Sequence, residues 1–243
     1  MTNLAQPIGE KLRDWRQRRR LSQLDLALDA EISTRHLSFV ETGRATPSRD
    51  MVLRLAAELE VPLRERNALL LAAGYAPMFA DRPLADAALA PARLAIEALL
   101  KAHEPYPALA IDRHWTLVAA NRAAGALMAG VAAWLIAPPV NVLRLTLHPE
   151  GMAPRIENLG EWRAHLLHRL RQQLAASGDP TIASLMEELS GYPIPLESRR
   201  PAPGPAAIAV PLKLRSPQGT LSFLSATMVF GTPLDVTLSE LAL

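Results

Sequence analysis

The chain has 243 residues, 49% of them hydrophobic and 21% charged, a profile with room for one or two cored domains. It contains no cysteine, which excludes a disulfide framework, a thiolate metal site and a thiol nucleophile. The formal net charge is only +2, but residues 1–80 hold 12 Lys+Arg against 10 Asp+Glu and the remainder is balanced, so the excess lies in the N-terminal third. The opening MTNLAQPIGEKL has no apolar signal region, and the cytoplasm is the expected compartment.

Residues 8–20 are expected to form a first helix, with Ile8, Leu12 and Trp15 on one side; its six cations, Lys11, Arg13, Arg16, Arg18, Arg19 and Arg20, make either a solvated face or, Arg16 excepted, phosphate contacts, and their crowding favours the second. Residues 21–43, LSQLDLALDAEISTRHLSFVETG, are the most informative stretch. Ser22 and Ser33 are N-cap residues, each opening an apolar run at helical spacing: Leu24, Ala27 and Leu28 in the first, Leu37 and Val40 in the second. Gly43 stands where a helix stops. Two short helices joined by a tight link are the skeleton of a helix-turn-helix. The exposed side of the second, with Thr34, Arg35, His36, Ser38 and Phe39, offers donors, a cation and an aromatic ring suited to a DNA groove.

Residues 48–60 and 62–74 read as two further helices that close a five-helix domain. Ser48 caps the first, and Pro62 and Gly74 bound the second; Met51, Leu53, Leu55, Leu59, Leu63, Leu69 and Leu71 supply apolar surface. Residues 75–84 read as a linker and residues 84–103 as an Ala- and Leu-rich helix stopped at Glu104-Pro105, which either connects the domains or pairs with its partner in a dimer. From Tyr106 the texture changes to strand, turn at Asp112-Arg113-His114, strand, and a helix beginning near Asn121. Residues 123–140 carry no charge but are rich in Ala and Gly and cut by Pro138-Pro139, so a buried helix is expected there and no membrane span. An apolar run at 140–147, helices at 161–177 and 181–189, and a Pro-rich loop to Pro205 follow. A hairpin ends the chain, with alternating Ile208, Val210, Leu212 and Leu214, a turn at 216–219 and a return strand at 221–230. An α+β sheet with helices on one face is expected, the order found in PAS-like sensor domains. The implied domains are 1–76, a connector at 77–104, and 105–243.

At its N-terminus the chain resembles a known family. LSQxxLA, then SxxxLSxxExG with Arg44 and Pro47 following, looks like the XRE-type lambda-repressor-like helix-turn-helix, with Glu31 at the turn position where that family has Gly. The resemblance implies that Arg16 pairs with Glu41, that Gln23 reaches a phosphate or base edge, and that Thr34, Arg35 and Phe39 face bases. It also implies that Thr42, Arg44 and Arg49 hold phosphates, with His36 and Ser38 able to do either. Over nearly the whole chain, STRHLSFVETGRATPS, LRERNALLLAAGYAP, IDRHWTLVAANRAA, HPEG, NLGEWRAHLL and LSFLSATMVFGTPLDVTLSELA together resemble the MmyB-like transcription regulators. That implies an XRE helix-turn-helix followed by a PAS-like ligand-binding domain, a homodimer on double-stranded DNA, and a small hydrophobic ligand such as a fatty acid. Members continue past SELA, and a missing tail after Leu243 is expected to weaken dimerisation.

Catalytic patterns are missing: there is no G-x-S-x-G elbow, Walker loop or Gly-rich dinucleotide fingerprint, and no cofactor is expected. His165 and His168 lie three apart on a helix without a third ligand at metal-site spacing. His148 with Glu150 in HPEG reads as a turn. Tyr106, Trp115, Trp134, Trp162, Phe223 and Phe230 cluster in the second domain, mostly as core. Candidate ligand contacts are Tyr106, Trp134 and Phe223 as apolar lining and Asn141, Arg144 and His148 as polar groups, Arg144 being the natural partner of an acid. The competing reading is a DNA-anchored protein-interaction module, antitoxin-like or a scaffold, with no small-molecule ligand.

Overall fold

Three serines set the starts of the inner helices of the N-terminal region. Ser22, Ser33 and Ser48 each accept a hydrogen bond from the backbone N–H three residues on, opening α2 (Gln23–Asp29), α3 (Thr34–Glu41) and α4 (Arg49–Glu58). At Ser22 the Asp25 carboxylate returns a bond to the Ser22 N–H and completes a capping box. The outer helices, α1 (Ile8–Arg18) and α5 (Leu63–Ala72), instead follow Pro7 and Pro62, whose fixed φ presets the first turn. The structure, a computed structural model, describes residues 6–194 and 209–243. They belong to two units, Met1–Pro83 with Thr232–Ser239, and Leu84–Gly231 with Glu240–Leu243.

In the first unit five helices close on a core that includes Leu12, Trp15, Leu26, Leu37, Val40, Leu55, Leu59 and Leu70. The α2 stripe differs from the expected one: Leu26 and Ala27 are buried with Ala30 behind them, while Leu24 and Leu28 are 65% and 75% exposed. A Leu-rich helix this short offers two stripes, and the phase set at Ser22 turns Leu26 inward. The same ambiguity leaves Leu71 exposed and Leu70 buried on α5.

Beneath this apolar packing lies one ion pair. The Nε and a terminal nitrogen of Arg16 donate to the two Glu41 oxygens at 2.6 and 2.8 Å, and Gln23 Nε2 donates to Glu41 at 2.8 Å, tying α1, α2 and α3 at one carboxylate. Burial pushes the Glu41 carboxyl up, but the hydrogen bonds from Arg16 and Gln23 outweigh it and hold the group below its usual range. The two helices meet closely enough that a Cβ on Gly9 would lie 2.3 Å from the Val40 carbonyl oxygen, so only glycine fits there.

Past α5 the chain stays pinned. The Asn67 side chain accepts from the backbone of Met78 and Phe79 and donates to the Phe79 carbonyl, and Arg64 pairs with Asp81. The C-terminal segment Thr232–Ser239 completes this unit, with its last turn α12 (Val236–Ser239) against α5. Val236 is fully buried, its N–H donates to the Ala80 carbonyl, and Asp235 accepts from Arg82 at 3.1 Å.

The second unit opens with a short 3₁₀ turn and α6 (Ala90–Ala102), then the hairpin β1 (Leu109–Ile111) and β2 (Leu117–Ala120). Asp112 Oδ1 accepts from the N–H groups of His114 and Thr116 and makes the expected turn between them. Asn121 caps α7 (Arg122–Leu127) and also bonds the backbone of Leu100, Tyr106 and Ala108, so one buried amide fixes the end of α6 and the start of the hairpin. The uncharged stretch that follows is not the single buried helix expected. It breaks at Gly130, which has φ +79°, and resumes as the one-turn α8 (Ala133–Ile136) with Trp134 and Ile136 exposed. Among the described residues no helix is long and apolar enough to cross a membrane.

Next come α9 (Val142–Leu147), α10 (Leu159–Ser177) and α11 (Pro180–Gly191), whose facing sides carry the core of this unit, including Leu147, Leu166, Leu170, Ile182 and Leu189. The final hairpin, β3 (Leu212–Ser216) with β4 (Gly219–Phe223), turns where expected but is shorter, since the return strand ends at Phe223. Asn158 holds it by bonding Pro211 and Lys213. The Pro-rich loop and Ile208 lie outside the described residues. Helices and small sheets mix as expected of an α+β domain, but the described strands form two separate antiparallel pairs in place of one sheet, each extended by an isolated bridge, Ile111 of β1 with Ala242 and Leu214 of β3 with Ile156.

Three outcomes are expected. Arg16→Ala strands the Glu41 carboxylate without its main partner and lowers unfolding stability by about 3–5 kcal/mol in urea titrations. Because folding lowers the Glu41 pKa, the pair contributes fully above the unfolded carboxyl value of about 4.3 and is lost as pH falls through the folded value, so the acid limb of the stability profile flattens in Glu41→Gln. Val236→Asp, in a segment distant in sequence, destabilises the first unit by about 3 kcal/mol or more, seen as early loss of helical signal and of amide protection in α5.

Candidate functional site

The outer face of α3 presents residues of one stripe. Thr34, Ser38 and Thr42 form one i, i+4 row and Arg35 and Phe39 the next, with Leu37, Val40 and Glu41 buried behind them. The Phe39 ring is the organising group: the Arg35 guanidinium lies 5.3 Å from its centroid and that of Arg44 6.0 Å, so two cations are steadied on one aromatic side chain. Arg44 reaches this position because the chain turns back after Gly43 (φ +72°) and its N–H donates to the Phe39 carbonyl at 2.8 Å. Arg49 is exposed at the first position of α4, beyond Ser48. His36 is half-buried in the first turn of α3, its N–H taken by the Ser33 cap.

Two candidates are more committed than the sequence suggests. The Gln23 amide nitrogen is spent on Glu41, which fixes the side chain at the start of α2. The Thr42 hydroxyl donates to the Ser38 carbonyl at 2.7 Å, within its own helix. Among the cations of α1, Arg16 is locked in its ion pair and Arg19 donates to the Leu59 and Glu60 carbonyls, while Arg18 and Arg19 both lie over the Trp15 ring. Much of that basic helix end therefore closes the fold against α4. The α2–α3 link does contain the left-handed residue implied by the family glycine: Glu31 has φ +54°. Arg20 and Glu60 end their helices the same way, at φ +58° and +47°.

In the second unit three of the six ligand candidates meet. The His148 ring sits edge-on between Trp134, 4.8 Å away, and Tyr192, 5.0 Å away. His148 Nδ1 accepts from the Glu150 N–H, which leaves Nε2 as the protonated nitrogen of the neutral ring, and Trp134 Nε1 donates to the Glu150 carboxylate. HPEG is a tight turn: the Gly151 N–H donates to the His148 carbonyl, and a Cβ on Gly151 would lie 2.2 Å from the Leu145 carbonyl oxygen. Beside it Arg144 grips Glu188 through both carboxylate oxygens, at 2.7–3.0 Å. The Arg144 bonds hold Glu188 below its usual carboxylate range, whereas burial and Glu188 push the Tyr192 phenol, which donates to Glu188 at 2.5 Å, upward. Glu188 and Tyr192 escape sequence reasoning, although their i, i+4 spacing is a legible signal.

Of the other three candidates Asn141 adjoins this group, since its side chain accepts from the Arg144 N–H at 3.1 Å. Asn141 caps α9 and donates to the His114 carbonyl. Tyr106 is 64% exposed, edge-on to His103, and Phe223 is half-buried at the edge of the helical core. His165 and His168 gain no third ligand, and the described residues contain no group of three or more His, Asp or Glu placed to hold a metal.

Replacing Glu31 with Gly tests the α2–α3 link. Relief of the left-handed strain, about 1 kcal/mol, is offset by the greater freedom of an unfolded glycine, so a net gain of about 0.5 kcal/mol in unfolding free energy is expected.

Comparison with known proteins places these two regions. Residues 7–69 match the helix-turn-helix domain model, and residues 92–243 match the model of the MmyB-like transcription regulator ligand binding domain. Over 76 residues the chain is 37% identical to the uncharacterized HTH-type transcriptional regulator RghRB of Bacillus subtilis (strain 168). That similarity covers 31% of this chain and 52% of the relative, so the chain spans about half the length of the curated relative it matches.

Proposed function

Since this chain belongs to the MmyB-like transcription regulators, we propose that it binds a specific operator through α3 and adjusts that binding to a small hydrophobic ligand, a fatty acid being one such molecule, held in its PAS-like second unit. The observation that carries the DNA reading is the exposed α3 stripe with Arg35 and Arg44 steadied on Phe39. Arg35, inside the helix, is placed to read a guanine edge; Thr34 and Ser38 flank it, and His36 reaches a base or a phosphate. Arg44 and Arg49 lie beyond the helix end and take phosphates, Gln23 offers its amide oxygen at the start of α2, and Thr42 stays a secondary contact. Trp134, Arg144 and His148 stand as the rim of the ligand site, with Tyr106, Asn141 and Phe223 in supporting positions.

The protein works as a cytoplasmic homodimer on a near-palindromic site, with recognition helices about one helical turn apart, and it carries out no catalysis. Ligand in the second unit shifts operator affinity by favouring one of two states. Segment Thr232–Ser239 supplies a covalent route for that shift, because it belongs to the sequence of the ligand-binding match yet is folded into the first unit.

Selection of sites from random duplex DNA, followed by titration of two variants, tests the readout. Arg35→Ala loses about 1–3 kcal/mol on the selected site and relaxes base preference at one position. Arg44→Ala weakens selected and unrelated DNA alike and lowers the salt slope by about one. Identical losses on every sequence for both variants would remove the assignment of α3 as the reader.

A further inference from the structure

Two leucines on α2 contribute nothing to the core. Leu26, Ala27 and Ala30 are buried, and the opposite side of the helix carries Leu24 and Leu28, one row at i, i+4 spacing and both largely exposed. Asp25 and Asp29 form a second exposed row beside them at the same spacing, and Glu31, exposed in the link to α3, continues the acidic edge. None of these carboxylates takes part in an ion pair among the described residues. Arg54 reaches the end of α2 from α4, but it donates to the Ala30 carbonyl at 3.4 Å. The face is also fixed in place: the capping box of Ser22 and Asp25 sets the first turn, and Gln23 is bonded to Glu41.

Charge narrows what can cover this face. Phosphates repel the acidic row, so the leucines are not a groove contact. A second copy across a two-fold axis would bring the same patch against itself, acid to acid, with no cation in it. The partner that satisfies both rows is a chain with Lys or Arg flanking an apolar ridge. Docking geometry places that partner. The first helix of a helix-turn-helix crosses the DNA backbone while the second lies in the groove, so a protein resting on the outer face of α2 is itself seated on the neighbouring DNA, where basic residues are required.

We propose that the exposed face of α2, Leu24 and Leu28 with the row of Asp25 and Asp29, is a docking surface for RNA polymerase, met by a basic helix of its promoter-bound subunit, and that the chain activates transcription from sites beside a promoter. This rests on the reading of α3 as the DNA reader. The leucines supply the apolar contact, and the acidic row orients the basic helix and excludes a second copy of the chain.

Single-round transcription with purified bacterial RNA polymerase holoenzyme tests the proposal. It uses the full chain and a promoter with a selected binding site placed upstream, moved in single base-pair steps over one helical turn. The wild type is expected to raise transcript about tenfold at the spacings that bring α2 to the polymerase, the scale of a buried leucine contact. The double variant Leu24→Ser/Leu28→Ser and the single variant Asp29→Lys should each lose that stimulation, with helical signal and affinity for the isolated site retained. If either variant stimulates like the wild type, the proposal is overturned. If the wild type occupies its site at every spacing without stimulating, the proposal falls and the DNA reading stands. If no site can be selected from random DNA, the DNA reading falls and the proposal with it. Sedimentation of the double variant supplies an independent reading: loss of self-association would assign the face to a second copy and overturn the proposal.

Discussion

The Glu41 carboxylate is the point on which the helix-turn-helix unit depends. It joins a helix that follows Pro7, a helix that follows Ser22 and α3 itself, by accepting from Arg16 and Gln23 inside the fold. An ion pair this buried gains little net stability over a well-packed apolar pair, since the cost of desolvating both charges offsets most of the attraction. What it supplies is register. Arg16 presents a planar fork that fits one carboxylate in one orientation, and Glu41 lies on the inner side of the helix whose outer side carries Arg35 and Phe39. Rotation of α3 by even part of a turn would break three charge-assisted bonds, so the direction in which the exposed stripe faces is set from within. Gly9 contributes to the same constraint by letting the backbones of α1 and α3 approach closely enough for the fork to reach.

The cations separate along similar lines. A guanidinium over an aromatic ring loses less freedom on meeting a partner than one in open solvent, and it keeps its edge donors free. Trp15 and Phe39 each serve two arginines in this way. Around Trp15 the donors turn inward to the Leu59 and Glu60 carbonyls and close a helix end. Around Phe39 both cations remain at an exposed surface. Identical chemistry thus closes the fold in one place and leaves two cations at the surface in the other, and the carbonyls within reach decide which.

The local parts of this design are legible in the sequence. Ser22, Ser33, Ser48, Pro62 and Asp112 announce the starts and turns they make, because a cap or an Asx turn needs only its own residue and the next few. The Arg16 and Glu41 pair comes from family resemblance, since 25 residues of sequence separate the partners. Where two solutions are locally equal, the sequence offers no decision: Leu26 against Leu24 on α2, or one buried helix against two short ones around Gly130. Tertiary packing makes those choices. The ligand candidates fare worst. Asn141 looks like a polar group in a pocket and is a cap, while Arg144 looks like a free cation and is matched by Glu188. Polar residues in an apolar sequence context read alike whether they await a ligand or already hold the fold.

That ambiguity is resolved by asking what each buried polar group is bonded to. Asn121 satisfies four backbone groups and so has a complete structural explanation. Asp179 is stabilised by His114 and by the Thr181 N–H, in spite of burial, and needs nothing further. Arg163 on α10 is the contrary case: it is buried in an aliphatic setting, donates to the Ser190 carbonyl, and has no hydrogen-bond partner for its Nε among the described residues. The same reasoning sets a limit on regulation. A ligand shifts a second site's affinity only by the difference in its own affinity for the two states of the unit, so a polar group already satisfied within the fold contributes to such a difference only if its partner changes between those states.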